Sequence, residues 1–196
     1  MISEARQGQI LLHQARGHLA AVLQPEDPAP REPLQLTAEE TRWLAEPGAT
    51  FVTLTEEGQL RGCIGSVEAF LPLEEDLAKN VRSAALEDPR FLPATAADYH
   101  RLRMEVSLLS PLEPLPSCAD QAAAEALLRP GVDGVLLECH YHRSTFLPQV
   151  WETFANPRDF LHHLKKKAGL DPFSWPADLR LWRYAVQKWR EGASEL

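Results

Sequence analysis

The chain lacks the usual features of secreted and membrane-spanning proteins. It has only 3 cysteines, and an odd, widely spaced set of this kind does not make a disulfide framework. The first residues form no apolar signal segment, and no apolar run approaches the ~20 residues that cross a bilayer. These absences predict a cytoplasmic protein without membrane segments.

Positive charge and the familiar catalytic motifs are scarce as well. The net charge is −8, which argues against nucleic-acid binding because affinity for phosphates comes from basic side chains. The sequence contains no GxSxG, Walker A, Rossmann or HExxH pattern. Hydrophobic residues make up 44% of the 196 residues, enough for the core of one domain over residues 1–196, with or without a smaller lobe.

Hydrophobic periodicity predicts a mixture of helices and strands, and Ser3, Thr37 and Asn156 are the expected N-terminal caps of three helices. The predicted helices cover residues 3–23, 37–45, 72–87, 118–128 and 156–168, and the predicted strands cover 50–54, 59–64, 103–109, 134–139, 143–147 and 181–189. Hairpins dominate over βαβ units in this order. We therefore expect an α+β fold in which a mainly antiparallel sheet is flanked by helices.

The most distinctive chemical group is the thiol of Cys63, which stands in the sequence RGCIG. We interpret this motif as a sharp turn at the end of a strand, since glycines permit such turns and the close approach of a ligand. The positive charge of Arg61 would favour the thiolate, and backbone N–H groups at Gly62, Gly65 and Ser66 would bind an anion. The motif thus predicts Cys63 as a nucleophile that Arg61 tunes.

The base that such a nucleophile needs is not identified by the sequence. Cysteine nucleophiles are usually paired with a histidine, and the chain has 7 histidines with no pattern that selects one. The alternative interpretation is that Cys63 is a buried cysteine at a strand end, beside glycines with a structural role.

A second group of chemically interesting residues occupies the later hairpin. Cys139, His140 and His142 are residue types that bind metals. Neighbouring residues on a strand point to opposite faces, so Cys139 and His140 are not expected to share a ligand. We predict solvent-exposed turn histidines here, and no metal or cofactor.

The RGCIG motif is similar to the signature of the AMMECR domain family, whose bacterial and archaeal members are called AmmeMemoRadiSam system protein A. The resemblance extends over roughly residues 5–190, because further matching stretches follow in the family's order at 88–91, 105–110, 131–137, 145–150 and 167–170. It implies an α+β fold with a larger and a smaller lobe and a cleft between them.

The resemblance implies protein partners but no specific reaction. The activity of the family is not established, but its genes often neighbour a Memo protein and a radical S-adenosylmethionine protein, which are the expected partners. Arg90, Arg143 and Gln149 are polar residues of the matched stretches, and we expect them to line the Cys63 cleft. Structural hydrogen bonds to loops are the alternative role for these three residues.

Two functions remain open at this point. In the first, Cys63 acts as a nucleophile or covalent carrier on a small substrate. In the second, the chain is a non-catalytic binding or adaptor module that presents either the Cys63 cleft or the basic residues of 157–190 to a partner protein.

Overall fold

The computed structural model describes residues 1–28 and 32–192, and these divide into two units. Unit 1 comprises Met1–Leu108 together with the residues from Gln187 onward, and unit 2 comprises Leu109–Val186. Helices are combined with antiparallel strand pairs in both units, which confirms the predicted α+β class.

The elements are named in chain order. The helices are α1 (Glu4–Leu23), α2 (Ala38–Ala45), α3 (Leu73–Leu86), α4 (Gln121–Glu125) and α5 (Pro157–Lys167), with 3-10 helices at Ala96–Asp98 and Pro148–Glu152. The strands are β1 (Pro47–Gly48), β2 (Thr50–Glu56), β3 (Gln59–Gly65), β4 (Leu71–Pro72), β5 (Leu102–Leu109), β6 (Glu113–Pro114), β7 (Gly134–Cys139), β8 (His142–Phe146), β9 (Arg180–Tyr184) and β10 (Val186–Arg190).

Unit 1 is built on a four-stranded sheet with the order β10-β5-β2-β3, beside the short pair β1-β4. Its helices begin at the predicted caps: Ser3 accepts the N–H of Arg6, and Thr37 forms a capping box with Glu40. The apolar stripes of α1 and α3 pack with the inner face of β2 and β5 into one core, which includes Ile10, Leu11, Leu19, Val52, Leu54, Leu77, Val81, Met104 and Val106. This core fixes α3 against β3, the strand that carries Cys63.

Unit 2 contains a second four-stranded sheet, with the order β6-β9-β7-β8. Helix α5 begins at the predicted N-cap Asn156, and Gly169 takes the left-handed conformation after its last turn with a φ of 78°. The core of this unit includes Leu137, Trp151, Phe160, Leu161 and Leu164. The rings of Trp151 and Phe160 stack with their centroids 3.8 Å apart.

Two predicted elements differ from the structure. The single strand expected at 181–189 is in fact two strands, β9 and β10, which join different sheets. The interruption falls at Ala185, whose N–H donates to the Ser110 hydroxyl and whose carbonyl accepts the Ser110 N–H. The helix expected at 118–128 is only the short α4, because the backbone then tightens into i to i+3 hydrogen bonds at Leu127 and Leu128.

Across the described ranges, no helix combines the length and the apolar character that a bilayer crossing requires.

Candidate functional site

The RGCIG motif lies on β3 and is not a turn. β3 runs from Gln59 to Gly65, and Cys63 lies opposite Thr53 of β2. The prediction of a sharp turn was wrong because neither glycine of the motif has a positive φ; such values occur at Gly58, Gly131 and Gly169.

The two glycines of the motif serve close packing instead. A Cβ added to Gly62 would overlap the backbone carbonyl of Ala84 in α3, and a Cβ added to Gly65 would overlap the ring of Phe51. Gly62 therefore allows α3 to approach the strand, and Gly65 leaves space for an aromatic ring across the strand pair.

Cys63 stands on an edge strand whose free side is covered by two charged side chains. β3 is the last strand in its sheet. The N–H of Cys63 donates to the Asp88 carboxylate at 2.9 Å, and its carbonyl accepts from the Arg90 guanidinium at 3.1 Å. Asp88 and Arg90 thus satisfy the backbone groups that a further strand would otherwise bind.

Asp88 and Arg90 form a close ion pair. The Arg90 side chain donates to both carboxylate oxygens of Asp88, at 2.9 Å and 2.6 Å. The pKa of Asp88 lies far below its usual range, mainly because of the hydrogen bond from Arg90. Burial acts in the opposite direction and would raise this pKa. The same bond is the main cause that raises the pKa of Arg90, with smaller contributions from Cys63. The Asp88 side chain is only 2% exposed, whereas that of Arg90 is 54% exposed.

The thiol of Cys63 is half-buried and has a polar neighbour across the strand pair. The hydroxyl of Thr53 donates to the sulfur at 3.3 Å. Among the described residues of unit 1, no histidine forms a hydrogen bond with Cys63, so the expected histidine base is not supplied there.

Arg61 occupies a different position from the one expected of it. The pairing of β2 and β3 shifts between Leu54 and Thr55, which makes Arg61 the extra residue of a β-bulge. Its guanidinium donates to the carbonyl of Leu92 at 2.6 Å. Arg90 is therefore the cation that is bound directly at Cys63.

Two backbone N–H groups of this segment, including the one expected at Ser66 to bind an anion, are already used within the fold. The N–H of Cys63 goes to Asp88, and the N–H of Ser66 goes to the carbonyl of Thr50 at 2.9 Å. The Ser66 hydroxyl accepts a hydrogen bond from Asn80 of α3. That amide belongs to a buried network with Thr50 and Asp76.

The residues that sequence reasoning missed are Asp88, Asp76 and Asn80. The sequence identifies the stretch 88–91 only as part of the family match, although a carboxylate two residues before an arginine is a signal for an ion pair. Asp76 and Asn80 lie four residues apart on α3, a spacing that places both on one helix face.

Arg143 and Gln149 belong to unit 2. Arg143 stands on β8 opposite Glu138, and its guanidinium lies 3.0 Å from the Glu138 carboxylate. Gln149 stands on the 3-10 helix Pro148–Glu152. Whether these residues share a ligand with Cys63 stays a prediction.

The hairpin turn of unit 2 places Cys139 and His140 closer together than strand alternation suggests. His140 has a positive φ of 52°, so it has left the extended conformation on which the alternation depends. One donor atom of each of Cys139, His140 and Asp178 lies within 4.8 Å of the other two. The expectation that the two neighbours point apart was therefore wrong.

Comparison with known proteins gives one consistent result. The AMMECR1 family model matches residues 12–189. A protein of Methanothermobacter thermautotrophicus is 38% identical over 143 residues, covering 72% of this chain and 74% of the relative. Protein MJ0810 of Methanocaldococcus jannaschii is 36% identical over 135 residues, covering 68% and 67%. The crystal structure of the uncharacterized protein PH0010 from Pyrococcus horikoshii matches with a TM-score of 0.78 and 27% identity, covering 94% of this chain and 91% of that one. The match of the family model to most of the chain, together with these relatives, shows that the chain belongs to the AMMECR1 family.

Proposed function

We propose that Cys63 is a reactive thiol that acts as a nucleophile on a small substrate, and that Arg90 stabilises its thiolate. The observation that carries this proposal is the position of Arg90, which is held by buried Asp88 and donates to the backbone carbonyl of Cys63, while half of its side chain remains exposed. A fixed cation beside a half-buried thiol is the environment in which cysteines become reactive.

The chemistry requires only a few groups. The thiol proton of Cys63 passes to solvent, the sulfur lone pair forms a bond to an electrophilic carbon of the substrate, and the leaving group departs with its electron pair. The exposed part of Arg90 favours substrates that carry an anionic group next to that carbon. Thr53, which donates to the sulfur, stabilises the same negative charge.

The remaining predicted site residues have supporting roles in this proposal. Gly62 and Gly65 allow the strand to pack closely, so they set the position of the sulfur. Ser66 and Arg61 hold the end of the strand and the loop at Leu92.

Alkylation kinetics test the charge at the thiol. Iodoacetamide is neutral and iodoacetate is anionic, so their rate ratio at Cys63, read by peptide mass spectrometry, reports the local positive charge. Arg90→Gln should lower the iodoacetate-to-iodoacetamide ratio about three- to fivefold, because the interaction of two neighbouring unit charges in water is worth roughly 1 kcal/mol. Arg90→Lys keeps the charge and should keep most of the ratio.

Arg61→Gln is the matched control, since it removes an arginine from β3, the strand that carries Cys63. Because the Arg61 guanidinium bonds to Leu92, this variant should leave the ratio nearly unchanged. Cys118 and Cys139 serve as internal reference thiols in the same digest. If Cys63 reacts no faster in the native protein than in the urea-unfolded chain between about pH 6 and 9, the thiol is not activated and the proposal fails.

A second candidate function is a non-catalytic adaptor for a protein partner. It is supported by the lack of a histidine at Cys63 in unit 1, and by exposed apolar side chains on the loops after β3 and α3, where Phe70 is 79% and Leu92 is 82% exposed. Singly exposed apolar residues are common, but these two flank the segments that carry Cys63 and Arg90. The Memo-like protein and the radical S-adenosylmethionine protein are the proposed partners.

Co-elution of the chain with those two gene products, at low and high salt, separates the candidates. The adaptor function predicts a complex that Phe70→Ser and Leu92→Ser weaken, and that Cys63→Ser leaves intact. Absence of any complex with either product would count against the adaptor.

A further inference from the structure

We infer that Cys139, His140 and Asp178 form a binding site for one divalent cation of the Zn²⁺ type. The three side chains come from two chain segments of unit 2: the β7–β8 turn and the residues just before β9. Their candidate ligand atoms, one sulfur, one imidazole nitrogen and one carboxylate oxygen, all lie within 4.8 Å of one another.

The fold brings these residues together through strand register. β7 and β9 pair with Glu138 opposite Arg180, so Cys139 and Asp178 stand at the adjoining ends of the two strands. The Cys139 thiol is 3.7 Å from one Asp178 oxygen, and the His140 Nε2 is 2.7 Å from the other. Asp178 thus already joins the two other donors.

The spacing is close to what a tetrahedral metal needs. Bonds of about 2.3 Å to sulfur and about 2.0–2.2 Å to nitrogen and oxygen place the ligands of zinc roughly 3.4–3.6 Å apart. The two observed distances to Asp178, 3.7 Å from the Cys139 sulfur and 2.7 Å from the His140 Nε2, lie within about 1 Å of these values, and the His140 side chain is 69% exposed. Cys139 is only 2% exposed, so its sulfur gives the site a fixed inner wall.

The donor set indicates which cations are suitable. A thiolate and an imidazole favour borderline and soft cations over Mg²⁺ and Ca²⁺, which prefer oxygen ligands. Three protein ligands leave one tetrahedral position for water or another ligand. Asp178 also lines a cavity of about 550 Å³, bounded in part by Cys118 and Trp182.

The backbone of His140 adopts the left-handed conformation, with a φ of 52°. A positive φ at a residue other than glycine costs about 1 kcal/mol, and glycine would relieve it. In this conformation the His140 Nε2 lies 2.7 Å from an Asp178 oxygen. Since glycine at this position should preserve the turn, His140→Gly removes the ligand without threatening the fold.

Metal titration tests the site. Zn²⁺ is added to metal-stripped protein by calorimetry, and Co²⁺ is added with absorption spectroscopy, in which a thiolate-to-cobalt charge-transfer band reports sulfur ligation. We expect one cation per chain. Cys139→Ser should abolish the cobalt band, and His140→Gly, His140→Asn and Asp178→Asn should each weaken Zn²⁺ binding at least about tenfold, as the loss of a direct ligand requires.

Two matched controls isolate the site. Cys63→Ser removes a different thiol, and His163→Asn removes an imidazole that bonds to the carbonyl of Asp159 in α5. Neither control should change the affinity or the cobalt band, and a thermal melt should show that each variant is folded. No saturable binding, a change of less than tenfold in the His140 and Asp178 variants, or a cobalt band that depends on Cys63 would each overturn the inference.

Discussion

The buried carboxylate of Asp88 accepts the backbone N–H of Cys63 at 2.9 Å across 25 positions of sequence. This bond ties the loop after α3 to the edge strand β3. Asp88 also accepts from the Arg90 guanidinium, so it holds that cation beside the Cys63 backbone.

Asp88→Asn should destabilise unit 1. The substitution removes the charge that holds Arg90 and weakens the acceptor of the Cys63 N–H. We expect a loss of about 1–3 kcal/mol in the free energy of unfolding, measured by urea denaturation. Arg82→Gln is the control: its ion pair with Glu87 is exposed on both sides, so its removal should cost less than about 0.5 kcal/mol. Equal effects of the two variants would contradict the importance of the Asp88 bonds.

Glu40 should make the protein sensitive to acid. The hydrogen bond from Arg6 is the main cause that lowers the pKa of Glu40 to about 2, from 4.5. The unfolded chain therefore takes up this proton at a higher pH than the native protein does. The stability that Glu40 contributes to the native protein is complete above about pH 4.5 and is lost as the pH falls towards 2. Unfolding curves at pH 7, 4 and 2.5 measure it.

Glu40→Gln provides the comparison. The wild type should be more stable than this variant at neutral pH, and the difference should shrink on acidification. Glu39→Gln, on the exposed side of the same helix turn, controls for the loss of a charge. A difference that does not change with pH would contradict the assignment.

Gly65→Ala and Gly62→Ala should respond differently to a second mutation. Both add a methyl group that the native packing does not accommodate, and overpacking typically costs about 1–3 kcal/mol. Phe51→Leu should restore part of the stability of Gly65→Ala, since the methyl meets a side chain there. It should not restore Gly62→Ala, whose methyl meets the backbone of Ala84.

A double-mutant cycle in urea measures this difference. The coupling between positions 65 and 51 should be favourable by more than about 0.5 kcal/mol, and the coupling between positions 62 and 51 should be near zero. Rescue of both alanine variants by Phe51→Leu would contradict the packing account.

Lys165 should make the protein more stable in alkali. Its side chain is 0% exposed, and its ammonium donates to Gln121 and to the carbonyl of Ser174. Burial lowers the pKa of Lys165 below 10.5. The unfolded chain therefore holds this proton to a higher pH than the native protein does, so stability should rise as the pH climbs from neutral towards 10.

Lys165→Met removes the titration and should flatten this rise in unfolding experiments at pH 7, 8.5 and 10. Lys166→Met, one residue further along α5 and exposed, should keep the wild-type slope. A wild-type stability that falls over this range in parallel with Lys165→Met would contradict the effect.

Local patterns in the sequence were sufficient for most of the elements. Ser3, Thr37 and Asn156 cap helices by bonds to residues three positions away, and such bonds depend only on neighbouring residues. The division of the last predicted strand into β9 and β10 was not visible, since it depends on bonds from Ala185 to Ser110, 75 positions earlier.

The candidate site was predicted in part. Cys63 was identified from its sequence motif, and Arg90 from a matched stretch. The connection of Cys63 and Arg90 through Asp88 was not predicted, because the three residues span 27 positions and meet only when α3 packs against the sheet. The glycines were expected to permit a sharp turn and the close approach of a ligand, whereas in the structure they lie on a strand and permit the close approach of Ala84 and of the Phe51 ring.

The sequence by itself determined the family, the α+β class and the helix caps, and it singled out Cys63 as the candidate thiol, since each rests on short-range patterns or on an ordered series of matching residues. Only the tertiary structure decided that Cys63 lies on an edge strand, that Arg90 and not Arg61 bonds to its backbone carbonyl, and that Cys139, His140 and Asp178 meet. Those facts arise from strand register and from the packing of a helix on a sheet, which join residues that no local pattern connects.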